Sequence, residues 1–154
     1  MSSEEYKLMK AFTVWQPWAT LIALLLKVNE TRSWPTRYRG PIAIHAGKRI
    51  DRAACEREPI KSVLASHGYT ADNLPTGAVV ATATLAECYP INVGGVTFAS
   101  TVDENGLILQ EYTGNEFMFG NYEIGRYAWR LTDAQMLPEP IPAKGQQGLW
   151  NWER

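Results

Sequence analysis

The longest apolar run of the chain, residues 18–26, is interrupted only by Thr20 and ends after nine residues. A membrane span needs about 20, so the run reads as a helix buried inside a folded domain. Its apolar side chains surround it almost completely, and other elements must therefore cover it on most sides. Pro17 suits its first turn, where the missing N–H costs nothing, and the helix is expected to run to Lys27.

The cover has to come from the rest of a 154-residue chain, long enough for one domain with a real core. Residues 1–8 read as a flexible N-terminal tail and 9–154 as a single domain. The polar start has no apolar signal segment. Cys55 and Cys88 lack metal or redox spacing, which suits a cytoplasmic protein. Strands are expected at 9–14, with Phe12 and Val14 on one face, at 41–45, at 127–131 and at 149–152. Segment 78–88 alternates Ala, Val and Thr and reads as a tightly curved strand. Asp51 is placed to cap a helix over 52–67 that ends at Gly68. Pro138, Pro140 and Pro142 make 137–142 edge-like, because proline cannot donate to a central ladder. Residues 89–120 carry turn signals but choose neither hairpin nor helix. The sum is an α+β fold with several short strands and two or more helices around a small barrel.

Charge is unevenly spread. Residues 27–52 hold seven cations and two anions, a local +5 in a chain whose net charge is −1. Such a concentration suits a localised anion site or a solvated basic loop. Lys27, Glu30 and Arg32 can hold a phosphate or carboxylate, with Arg as a planar fork and Lys as a point charge. Glu30 either orients them or accepts the amino group of a base. Trp15, Trp34 and Tyr38 offer rings for stacking on bases, and Trp18 reads as core. Gln16 either reads a base edge or satisfies backbone groups at the helix start. Arg39 and Lys48 extend the basic stretch. His45 can donate to a phosphate or act as acid or base, and Glu87 can serve as a base near the end of the curved strand. No metal site is expected from two histidines and no clustered carboxylates, and no cofactor is expected. Serine-hydrolase, Walker and dinucleotide loops are absent from the sequence.

Taken in order, Trp15-Gln16-Pro17-Trp18-Ala19, Lys27-x-x-Glu30-x-Arg32, Arg39-Gly40-Pro41-Ile42-Ala43-Ile44-His45-Ala46, Gly125-Arg126-Tyr127-Ala128-Trp129 and Pro140-Ile141-Pro142-Ala143-Lys144-Gly145 resemble the ASCH domain family of the PUA-like superfamily, in its small bacterial and phage branch. The resemblance implies a small β-barrel with surrounding helices and a cleft holding a G-x-K-x-x-E-x-R motif. It also implies single-stranded RNA or a nucleotide as partner, with no membrane role. Lys27, Glu30 and Arg32 match that motif, but its glycine is Leu25 here, which is expected to narrow or reshape the cleft. The superfamily includes an amidohydrolase acting on acetylcytidine through a lysine-activated threonine. The matching position here is Glu30, and the adjacent Thr31 is expected on the opposite face. Other members resemble ribonucleases; for such a reaction Lys27, Tyr38 and His45 would be the conceivable acid–base set, on their chemistry and not on a matched motif. An enzyme on RNA or a modified nucleoside, with Lys27 activating a nucleophile or water and Glu30 or Glu87 as base, is thus the alternative to a binding module.

Overall fold

The computed structural model describes residues 8–153. The expected tail lies outside them except for Leu8, which opens β1 (Leu8–Gln16). Phe12 and Val14 of β1 face one apolar cluster, while Met9 and Ala11 face another. The alternation of a strand therefore serves two cores, one on each side of the sheet.

The apolar run gives a helix, α1 (Trp18–Ala23), of only six residues. It stops short of Lys27 because Leu25 takes a left-handed conformation, φ 64°. The Leu25 N–H bonds Ile22 O at 3.0 Å and the Leu26 N–H bonds Leu21 O at 2.9 Å. This is the double closure of a Schellman cap, usually built on glycine. Position 25 thus takes a positive φ and does not wall the cleft, contrary to the expected narrowing, and the Leu25 side chain is 64% exposed. A non-glycine residue there costs about 1 kcal/mol or more. Leu25→Gly is therefore expected to stabilise the protein by about 0.5 kcal/mol after the greater freedom of glycine in the unfolded chain is subtracted. Urea unfolding checks this, and a lower midpoint would contradict it.

Next come β2 (Asn29–Arg32) and β3 (Gly40–Ile50), joined by the expected loop. Asp51 caps α2 (Arg52–Glu56), its Oδ1 accepting from the Ala54 N–H at 2.9 Å. The single helix expected over 52–67 is instead α2 and α3 (Ile60–Ser66). Pro59 sits at the break, and Arg57 is already extended, as proline in a helix interior demands. β4 (Ala78–Pro90) follows, and residues 89–120 then supply a separate sheet of β5 (Val93–Gly94), β6 (Ala99–Val102) and β7 (Ile108–Tyr112), with α4 (Gly114–Met118) behind it. Tyr112 and Tyr122 stack at 4.7 Å where this sheet meets Ala128. β8 (Tyr127–Pro142) and β9 (Trp150–Glu153) complete the chain.

The main sheet has the order β2-β8-β4-β3-β1-β9, with β1 and β3 parallel. β8 pairs with β2 only over Tyr127–Arg130. Its three prolines therefore lie where its second edge is free. Three register shifts between β4 and β8 curl the sheet around Phe12, Ile22, Ile44, Leu85 and Trp129. The α+β class is as expected, but the sheet is not closed into a barrel, because β2 does not pair with β1. A side chain bridges that seam: Arg32 Nη1 donates to Thr13 O at 3.2 Å. The backbone stays parted there because a cleft occupies the seam, lined by 13–15 of β1 and 30–32 of β2.

Candidate nucleic-acid interface

The chain leaves the Leu25 cap directly into Lys27, whose side chain has no solvent exposure. Its ammonium donates to Asn29 O, lies 3.6 Å from Glu116 Oε2, and faces the Tyr122 ring at 5.7 Å. Glu116 holds this corner together. Its Oε1 accepts from the Val28 N–H at 2.7 Å and its Oε2 from the Tyr122 hydroxyl at 2.8 Å. Burial, reinforced by the Glu116 carboxylate, pushes the Tyr122 phenol far above its usual value, so it remains a donor. Gly120 passes close by: a Cβ there would lie 2.6 Å from the Tyr122 ring and 3.3 Å from Lys27 Nζ.

β2 then carries Glu30 and Arg32 on one face of the strand, with Arg32 Nη1 3.5 Å from Glu30 Oε2. The Arg32 guanidinium lies among three rings, 5.3 Å from Phe12 and 5.4 Å from both Trp34 and Trp129. Burial lowers its pKa and Glu30 opposes that effect. Arg126 completes the cluster. Its Nη2 donates to Thr31 O at 3.0 Å and its Nε to Asn121 O at 3.1 Å. Thr31, expected on the far side of β2, also borders the cleft, because the Gly120–Asn121 loop folds over it and the Asn121 N–H reaches its hydroxyl at 3.3 Å.

Burial raises the Glu30 carboxyl above the ordinary glutamate value, while Lys27, Arg32 and Arg126 pull it back. A carboxyl raised on folding binds more protons in the native than in the unfolded state, so its contribution to stability is complete below the ordinary value, about pH 4, and is lost as pH rises through the raised one. Glu30→Gln is accordingly expected to be more stable than wild type at neutral pH, with the gain vanishing near pH 4. Thermal unfolding across that range checks it, and a less stable variant at neutral pH would contradict it.

The cleft encloses about 290 Å³. It opens beside a groove of about 1540 Å³, and both are lined by Thr13, Trp15 and Arg32. Trp15, 45% exposed, carries the Arg49 guanidinium 4.2 Å from its ring centre, and Trp34 packs edge-on against Trp129 at 4.8 Å. Lys48 and His45 line the groove. Both His45 nitrogens are engaged: Nε2 donates to Ala143 O at 2.7 Å, which leaves Nδ1 to accept from the Thr13 hydroxyl at 3.1 Å. Gln16 is fully buried. Its amide donates to Thr20 Oγ1 and Pro75 O, both at 2.8 Å, and accepts from the Thr20 N–H at 3.0 Å, fixing the corner between β1 and α1. Trp18 lines the cleft while donating its indole N–H to Phe119 O.

Tyr38, Arg39 and Glu87 lie outside both cavities. The Tyr38 hydroxyl donates to Pro41 O, and Arg39 pairs with Glu87 at 3.5 Å on exposed surface. The residues that sequence reasoning missed are Gly120 and Asn121, which line the cleft, and Glu116 and Tyr122, which contact Lys27. Among the described residues no group of His, Cys, Asp and Glu could hold a metal ion, and no helix is long and apolar enough to cross a membrane.

In comparisons with known proteins, a family model described as the ASCH domain matches residues 12–140, most of the chain. No curated protein matches it.

Proposed function

The chain belongs to the ASCH domain family, and from that premise we propose that it binds RNA through the cleft between β1 and β2, taking one nucleotide into it. The family is generally proposed to bind RNA. The observation that carries the reading for this chain is Arg32, a cation held among three rings and shared by the cleft and the groove. Arg32 then grips a phosphate or a base carbonyl, with Arg126 beside it. Glu30, nearly buried among cations, accepts from an amino group of the base. Lys27 acts from beneath, its ammonium already held by Asn29 O and Glu116.

Fluorescence anisotropy with a short labelled single-stranded RNA tests this at two salt concentrations. Arg32→Ala is expected to weaken binding by about 2 kcal/mol, roughly thirtyfold, and wild-type affinity is expected to fall steeply with salt. Wild-type affinity in Arg32→Ala would overturn the proposal.

The second reading is a hydrolase acting on RNA or on a modified nucleoside. It draws on the raised Glu30 carboxyl beside Lys27, a pairing suited to acid–base work. Running the titrated RNA on a gel separates the reader from a ribonuclease, cleavage lost in Glu30→Gln supporting the enzyme, and product formation from a modified nucleoside, likewise lost in Glu30→Gln, tests the other hydrolase.

A further inference from the structure

The groove beside the cleft is larger than a single nucleotide needs. We infer that it is the track for the nucleotides flanking the one in the cleft, so that the ligand is a single-stranded stretch of several nucleotides and not a free mononucleotide. The inference rests on the cleft reading above and extends it to the class of ligand.

Size is the first argument. Small-ligand pockets span about 300–1,000 Å³. The cleft, at about 290 Å³, lies at the bottom of that range, and the groove, at about 1540 Å³, lies beyond its top. Thr13, Trp15 and Arg32 line both, so the two cavities adjoin.

Chemistry is the second argument. Arg32, Lys48 and Lys144 line the groove, and among the described residues no acidic one does. Arg49 adds a further cation over the outer ring, Trp15. Trp15 lies at the junction and Trp34 lines the groove, 45% and 37% exposed. Exposed indoles interleaved with cations are what a backbone-tracking, base-stacking surface requires. A site for one compact anion would instead converge its cations on a single point.

Shape is the third. The groove is lined by glycines packed against the buried His45 and the half-buried Thr13. A Cβ on Gly145 would lie 2.8 Å from both His45 Cε1 and Thr13 Oγ1, and one on Gly47 would lie 2.9 Å from Thr13 Cγ2. This gives His45 its part: bonded to Ala143 O and the Thr13 hydroxyl, it props the segment after β8 against β1 and forms the wall of the track.

Titration of adenosine 5′-monophosphate and of a hexameric single-stranded RNA tests the inference, with wild type and a Lys48→Ala/Lys144→Ala double variant. Wild type is expected to bind the hexamer at least tenfold more tightly than the mononucleotide. The double variant is expected to lose most of that gain, and its slope of log affinity against log salt should be shallower by about 1.4, the value for two single-strand phosphate contacts. Equal affinity of wild type for hexamer and mononucleotide, or a double variant indistinguishable from wild type on the hexamer, would overturn the track and leave the cleft reading standing. Failure of wild type to bind either ligand would overturn the cleft reading and the track with it.

Discussion

Replacing Glu116 with alanine is expected to destabilise the protein by about 3 kcal/mol, the lower end of the range for breaking a buried ion pair. The Lys27 ammonium is wholly withdrawn from solvent and has the Glu116 carboxylate 3.6 Å away. Removing the carboxylate leaves a buried charge without its counter-ion. The Val28 N–H and the Tyr122 hydroxyl lose their acceptor in the same step. Glu116 itself is 19% exposed, so water enters part of the vacated space, and this places the loss at the lower end. Glu116→Gln keeps one carbonyl acceptor, for the Val28 N–H, and turns an NH2 donor toward the Tyr122 hydroxyl, so it should cost less than alanine. Adding Lys27→Met to Glu116→Ala should recover much of the loss, because the unpaired charge is then gone. Urea unfolding with an unchanged slope measures all of these. A loss below about 1 kcal/mol for Glu116→Ala would show an ion pair of the surface kind.

The second large effect is expected at Trp129. Its side chain is completely buried, 5.4 Å from the Phe12 ring and edge-on to Trp34 at 4.8 Å, and its indole N–H donates to Trp34 O at 3.2 Å. Truncation to alanine should cost about 4 kcal/mol, the middle of the range for a buried aromatic. This is a large part of the stability of any domain of this size. The effect reaches the cleft because Trp129 and Trp34 are two of the three rings around Arg32. Trp129→Phe should keep most of the stability, about 1–2 kcal/mol below wild type, and retain a ring beneath the guanidinium. RNA affinity should therefore survive in Trp129→Phe better than in Arg32→Ala. A Trp129→Phe variant that folds but binds as weakly as Arg32→Ala would separate the ring box from the binding role given to it.

What could be read from the sequence was local. Alternation gave β1 and β4, Asp51 announced its helix, and the prolines of β8 marked an edge. The cleft residues 27, 30 and 32 were legible because one short stretch of chain carries them, the last two on β2. Three features were not. The left-handed Leu25 has no signal of its own, since leucine is a good helix former. The β5–β7 sheet is made of strands too short to show a period. Glu116 acts on Val28 across 88 residues of chain, a separation no local pattern spans. Gln16 and His45 illustrate the converse. Each is a polar residue in a promising place, and each spends its polar atoms on the fold. The break at Pro59 was missed, although proline alone signals it.

The central claim is that RNA enters the cleft and groove between β1 and β2. Ultraviolet cross-linking of a short single-stranded RNA carrying 4-thiouridine, followed by mass-spectrometric mapping of the linked peptide, tests it most directly. The account predicts adducts at Trp15, Trp34 or the segment 143–148, abolished by excess unlabelled RNA and weakened in Arg32→Ala. Adducts confined to the β5–β7 sheet, with the cleft peptides unmodified, would contradict it.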